Sequence, residues 1–399
     1  MTKNMKDSRS VSDRFVAEHI STLPRSGIRA FFDLVNTMDD VISLGVGEPD
    51  FTTPWSIRES GIYSLEHGHT SYTSNLGMPK LRKAICAYVR NNYGAEYDFQ
   101  HECIVTVGVS EAVDLALRAV IDPDDEVIYS EPCYVSYPAE IRMAHGVPVP
   151  VTTEEKNGFA LDPAEVAKKI TPRTKALILN FPCNPTGAEM PHDKLEKLAA
   201  LAKKHDLLVL TDEIYSELSF DGEHVSIASL PGMKDRCIFL HGFSKAFAMT
   251  GWRVGFACAP APLTDAMMRI HQYAIMCAPT VAQEAALDAL KNGGDAMLKM
   301  RESYRERRDF FVAGLNAAGL KCRLPQGAFY AFPSVESTGL SSEEFARKLL
   351  EQQRVAVVPG TAFGAGGEGF VRCCYATGRD ELNEALVRIR KFLSGLKKC

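Results

Sequence analysis

Seven short apolar runs alternate with helix-like stretches between residues 103 and 259, and this alternation restricts the fold more than any other feature of the sequence. The runs are CIVTVG (103–108), EVIYSE (126–131), VPVPVT (147–152), KALILN (175–180), LLVLTD (207–212), CIFLHG (237–242) and VGFACA (254–259). Several are apolar almost throughout, as strands covered on both faces must be. Between them, SEAVDLALRAV (110–120) and HDKLEKLAALAKKH (192–205) read as helices, the second with Leu195, Leu198 and Leu201 along one face. Strand and helix in alternation predict an α/β fold, with a mostly parallel seven-stranded sheet flanked by helices.

Further on the pattern changes. A long helix is expected over 295–319, short strands in AFYAFP (328–333), VAVVPG (355–360) and FVRCCYA (370–376), and a closing helix from Arg379. These predict a second, smaller α+β domain. We expect an N-terminal segment (1–48) that joins the small domain, a large domain (49–285) and a small C-terminal domain (286–399). A chain of 399 residues is too long for one ordinary core. The cleft between two domains is the expected place for a small-molecule site.

Charge and composition exclude several partners. A formal net charge of −5 offers no field suited to nucleic acid or an anionic membrane. The polar start MTKNMKDSRSVSDRF has no apolar signal core, and no run approaches the ~20 apolar residues that span a bilayer. A cytoplasmic location is expected. The eleven cysteines are scattered without C-x-x-C, so they read as buried reduced thiols and no metal is expected. HGH (67–69) reads as a turn, and GAGGEG (364–369) runs into a strand, which fails the context of a dinucleotide loop. RERRDF (305–310), Asp206, Glu213 and Glu217 read as solvated surface charge.

Three strand ends carry chemistry. HGFSKAFAMTGWRVGFA (241–257) places Lys245 just beyond a strand, beside Ser244 and Arg253. A desolvated lysine flanked by cations can lose its proton and form an imine, while serine and arginine suit a phosphate. NFPCNPTG (180–187) holds Asn184 in a proline-containing turn, and TDEIYSEL (211–218) puts Asp212 and Tyr215 at the same sheet edge. Ligands of open α/β sheets bind outside the carboxyl ends of the strands.

N-P-x-G, D-x-x-Y and S-K-(x)5-G-x-R-x-G after successive strands resemble fold-type I pyridoxal-phosphate-dependent class I aminotransferases. SLGVGEPDF, SYTSNLGMPKLRKAI, VTVGVSEA, EPCYVSYP, GAFYAF and VAVVPGTAFG extend the likeness in order, and it is nearest the prokaryotic aspartate and aromatic amino-acid subgroup. The resemblance implies pyridoxal 5'-phosphate as cofactor, carried by the large domain. It implies that Lys245 carries the cofactor as a Schiff base and later moves the substrate's α-proton, with Asp212 against the pyridine nitrogen. It further implies that Tyr215 and Asn184 hydrogen-bond the phenolic oxygen and Tyr134 stacks on the ring. The phosphate would meet the backbone amides of Val109 and Ser110, the Ser110 hydroxyl, Ser244, Arg253, and Tyr72 from a second subunit. Arg372, with Gly47 and Asn184, would take the substrate. A homodimer with shared sites is thereby implied, with amino-acid and 2-oxo-acid substrates exchanged by a ping-pong mechanism.

The sequence departs from that pattern in two places. Gly242 stands where many relatives have a serine, which removes one phosphate hydrogen bond. HQYAIMCAPT (271–280) lacks the arginine that dicarboxylate-specific members present to the neighbouring site. Tyr273, Met276 and Cys277 would make a soft wall there, favouring aromatic or mixed specificity, with Arg29 or Lys80 as possible substitutes. A carbon–sulfur β-lyase on the same scaffold is the alternative activity. A cofactor-binding regulatory module is a remote one, since the roughly 45 residues before SLGVGEPDF contain no basic recognition helix.

Overall fold

A computed structural model describes residues 12–23 and 38–396, so Arg29 and Cys399 lie outside the described residues. Its strands are β1 (Ile42–Ser43), β2 (Cys103–Thr106), β3 (Glu126–Glu131), β4 (Val147–Thr152), β5 (Thr174–Asn180), β6 (Leu208–Asp212), β7 (Cys237–Gly242), β8 (Gly255–Cys258), β9 (Tyr330–Ala331), β10 (Val355–Ala356), β11 (Val358–Pro359) and β12 (Val371–Cys374). Seven of them form one sheet in the order β2-β8-β7-β6-β5-β3-β4. Neighbours are parallel except β8, which runs antiparallel to both β2 and β7. The expected mostly parallel seven-stranded α/β sheet is present. Its proline-bearing run becomes β4, at an edge, where residues without an N–H do least harm to the ladder.

The near-continuous apolarity has a direct cause. In β5, Leu177 and Leu179 enter one apolar cluster while Ala176 and Ile178 enter another on the opposite face. Strand β7 divides likewise, with Cys237 and Phe239 on one side and Ile238 and Leu240 on the other. A third cluster gathers residues 300–393 around Phe329, Phe345 and Tyr375, and it also takes in Leu44 and Tyr215. Long helices Gly294–Ala318 and Arg379–Leu396 cover it. The short strands here are shorter than expected: β10 and β11 split VAVVPG, and only Tyr330–Ala331 of AFYAFP pairs. Among the described residues no helix is long and apolar enough to cross a membrane.

Three charges read as surface are in fact buried. Arg308 packs inside with Asp221 and Asp309, Glu213 bonds Thr211, Ser226 and His224, and Glu217 bonds Tyr88, Tyr93 and His241. Arg308 reaches Asp221 87 positions away and Glu217 reaches Tyr88 129 positions away, while Glu213 is enclosed by partners within 13 positions that only the folded chain turns toward it. Burial alone would depress His224, but Glu213 and Glu189 outweigh it and hold the imidazole up to about 10. A pKa raised on folding gives stability that is complete below the unfolded value of ~6.5 and lost as pH rises through about 10. His224→Gln should therefore lower Tm by on the order of 5 °C near pH 6, with the gap to the native protein closing toward pH 10. A gap independent of pH in thermal melts would refute the charged assignment.

Candidate active site

Strands β5 and β6 end level with one another, because Asn180 pairs with Asp212, and β7 runs two residues past Leu240, the partner of Asp212, to Gly242 at the same edge. A cavity of about 630 Å³ opens at that edge. It is lined by Gly47, Val109, Ser110, Tyr134, Asn184, Asp212, Tyr215, Ser244, Lys245, Arg253 and Arg372, that is, every site residue expected from sequence except Tyr72. Tyr72 instead stands 80% exposed on the outside of the chain. Lys80 does not reach the cavity either, since its ammonium is paired with Glu284 at 2.8 Å. Tyr273, Met276 and Cys277 are likewise absent from this chain's own cavity wall.

Lys245 follows β7 in a tight turn, and its Nζ donates to the Gly47 carbonyl at 2.7 Å. Burial, reinforced by the nearby cations Arg372 and Arg253, lowers this amine to about 8, with Glu48 acting in the opposite direction. Roughly a tenth of it is then neutral and nucleophilic at pH 7, far more than for an unperturbed lysine. Asp212, at the end of β6, is pushed up to about 6 by burial, against the hydrogen bond that Tyr137 donates to Oδ2 at 2.7 Å. The Ile214 N–H donates to its other oxygen at 3.2 Å. A cation placed beside this carboxyl would restore its negative charge.

An anion cradle faces them. The helix Gly108–Val120 begins two residues before the expected Ser110, so Gly108, Val109 and Ser110 form its first turn, where N–H groups are free of intrahelical bonds. A Cβ on Gly108 would come within 2.6 Å of the Arg253 guanidinium, and one on Gly255 within 2.7 Å of the Gly108 carbonyl carbon. Only hydrogen fits at both positions, which lets Arg253 and β8 close on the helix start. Gly242 is similarly tight, with Val109 Cγ2 and Gly255 Cα each 3.0 Å from a built Cβ.

Arg372 projects from the middle of β12, which pairs with β11 and β9. Its guanidinium lies 4.5 Å from the Tyr330 ring centroid and 4.7 Å from that of Phe363. It donates to Asn184 Oδ1 at 2.8 Å and to the Gly45 carbonyl at 2.6 Å, while its Nε is buried without a partner. The planar fork is thus fixed by stacking and retains donor capacity for a carboxylate.

A sequence profile of the family "Aminotransferase class I and II" matches residues 39–389. The chain belongs to the class I and II aminotransferases. Bacillus subtilis (strain 168) YugH is 54% identical over 379 residues, spanning 95% of this chain and 98% of that one. The aspartate aminotransferase of Pyrococcus abyssi is 43% identical (95% and 98% covered), and aromatic-amino-acid aminotransferase 2 of Thermococcus litoralis 41% (96% and 99%). Among solved structures, Thermus thermophilus aspartate aminotransferase with maleate superposes with a TM-score of 0.91 at 40% identity, covering 94% of this chain and 99% of that one. The protein is a transaminase.

Among the residues of this aminotransferase pocket with no role assigned from sequence, Tyr137, Asn180 and Tyr330 bond directly to assigned ones. Tyr137 bonds Asp212, Asn180 donates to the Asp212 carbonyl at 3.0 Å and accepts from the Asn184 N–H, and Tyr330 pairs its hydroxyl with that of Tyr215 at 2.8 Å. All three sit within EPCYVSYP, NFPCNPTG or GAFYAF, so the motifs contained them. Their contacts, each spanning more than one element, were not legible in the sequence.

Proposed function

We propose that this aminotransferase holds pyridoxal 5'-phosphate in the cavity and transfers the amino group of an aspartate-like or aromatic L-amino acid to a 2-oxo acid such as 2-oxoglutarate. The observation that carries this reading is the grouping of one lowered lysine, one buried carboxyl and one stacked arginine around a single cavity. The donor set fits the cofactor: a glycine-lined helix start with Arg253 and Ser244 for a phosphate, and Asp212 for a protonated ring nitrogen. When bound, that cofactor supplies an aldehyde to take up an amine and a ring able to accept an electron pair.

The chain's own residues then divide the work. Lys245 would hold the cofactor and, when not bonded to it, would carry the proton from the substrate's α-carbon to the carbon on the far side of the amino nitrogen. Asp212, oriented by Tyr137 and the Ile214 N–H, holds a proton on the ring nitrogen. Asn184 and Tyr215 bond the phenolic oxygen, and Tyr134 covers the ring. Val109, Ser110, Ser244 and Arg253 bind the phosphate. Arg372 clamps the α-carboxylate, with Gly47 and Asn184 at its sides.

Relatives named for aspartate and for aromatic substrates both support a mixed preference. In the same reading the chain works as a homodimer, with Tyr72 completing the partner's phosphate site. Support comes from the exposed apolar side chains Trp55, Tyr63, Leu65, Tyr72 and Tyr273. Domains are assigned as 1–48, 49–285 and 286–399, with the third apolar cluster as the small domain's core.

Absorbance of the holoenzyme, recorded with aspartate, glutamate, tyrosine, phenylalanine or lysine added singly, tests the reading. Conversion of the bound cofactor to pyridoxamine phosphate, fastest with the preferred donor, is the expected result, from a protein that sediments as a dimer. Ammonia and pyruvate released from cystathionine, without that conversion, would assign the β-lyase reaction instead.

A further inference from the structure

Cys86, Cys103 and Cys258 are separated by up to 172 positions, yet their three sulfurs lie within 4.8 Å of one another. Cys86 comes from the helix Pro79–Tyr93, Cys103 from β2 and Cys258 from β8, where Cys103 and Cys258 are direct cross-strand partners. No other described histidine, cysteine or carboxylate joins the group. Ordinary packing of small apolar thiols would account for their burial, but two neighbouring polar groups are then left without an explanation.

The first is Arg82, one helical turn before Cys86 and therefore on the same helix face. It is 6% exposed, and its hydrogen bonds all run to backbone carbonyls, those of Gly77, Phe99 and Gln100. Among the described residues no carboxylate is bonded to it, and a buried cation ordinarily requires a counter-charge. Asp98, the acidic group that acts on Cys86, is exposed and screened by water. The second is the Tyr97 hydroxyl, which lies near Cys237 and Cys258 and is buried with no partner.

We propose that Cys86, Cys103 and Cys258 form a buried three-sulfur site for a soft divalent metal ion, of which Zn(II) is the biological member. Soft thiolates select such ions. Sulfur–zinc bonds of ~2.3 Å require sulfurs ~3.8–4.0 Å apart, so the cluster need contract only slightly. On binding, three S–H groups release their protons to solvent as three sulfur–metal bonds form, and no electron moves. Three thiolates, one divalent ion and the Arg82 guanidinium together carry no net charge, which a buried site requires. A monovalent ion such as Cu(I) would leave a net negative charge, and this favours the divalent class. With three protein ligands, the fourth position stays open to a small ligand.

The site is separate from the aminotransferase cavity. At the opposite ends of the same two strands, Thr106 pairs with Gly255 at the helix start, three residues or ~10 Å away. A bound ion would join the helix Pro79–Tyr93 to the β2–β8 edge and act on stability.

The test is anaerobic titration of reduced, chelator-treated holoenzyme with Cd(II), followed by Zn(II) competition. One ion per chain, with sulfur-to-cadmium charge-transfer absorption, is expected, together with a Tm several degrees higher in the loaded protein. Cys86→Ser and Cys258→Ala should each abolish the absorption, while Cys277→Ser, at a half-buried thiol outside the cluster, should keep it. No stoichiometric absorption in the native protein would overturn the site, whether or not the variants fold. So would absorption that survives Cys86→Ser, or that appears only above Tm. Tight Cu(I) binding without Cd(II) or Zn(II) binding would overturn the divalent assignment.

Discussion

Lys245→Ala is expected to lower kcat/KM for amino-group transfer by on the order of 10⁴ or more, the largest single effect in the molecule. Two functions converge on this amine. In the proposed reading it would anchor the cofactor and move the proton between two carbon atoms, and among the described residues no other amine lines the cavity. Burial prepares it for both by bringing its pKa down to about 8. The hydrogen bond from Nζ to the Gly47 carbonyl would be lost, but the Lys245 backbone lies in a turn whose packing residues Phe243, Ala246 and Phe247 are untouched. The variant should therefore fold with a Tm near that of the native protein. Borohydride reduction followed by mass spectrometry supplies an independent readout: the cofactor's mass should be fixed to Lys245 in the native protein and to no residue in the variant. Activity within tenfold of native, or cofactor fixed to another lysine, would remove Lys245 from its assigned role.

Asp212→Asn should reduce kcat by on the order of 10²–10³ while leaving the fold in place. An amide has the volume of the carboxyl and can still meet the Tyr137 hydroxyl and the Ile214 N–H, which now sit at 2.7 and 3.2 Å from its oxygens. It cannot hold a positive charge on a ring nitrogen, so electron-pair acceptance by the ring should weaken. The loss belongs in kcat, because Arg372 and the phosphate residues keep their contacts. Asp212→Glu, which preserves charge but displaces it, should retain more activity than the amide. A fall in Tm with kcat unchanged would make Asp212 structural instead.

Arg372 and Asn184 illustrate how much of the site could be read along the chain and how much could not. Each is recognisable from its motif, yet their 2.8 Å bond spans 188 positions and joins the loop after β5 to β12. Arg253 was assigned to the phosphate from its spacing to Lys245. What makes room for it is the absence of a Cβ at Gly108, 145 residues earlier. Glu213 and Glu217 were misread as surface charge because a lone carboxylate beside a strand looks the same locally whether water or His224 and His241 face it.

The sequence by itself determined the alternation of strands and helices, the two-faced burial of the sheet, and the placing of Asn184, Asp212 and Lys245 at successive strand ends. These follow from periodicity and from what lies within a few residues, and backbone geometry converts such patterns directly into structure. Only the tertiary structure decided how far Asp212 would be raised and Lys245 lowered, that Glu213 and Glu217 would be buried, and that three scattered cysteines would meet. Desolvation and charge pairing depend on which distant segments pack together, and that information lies in no local stretch of the chain.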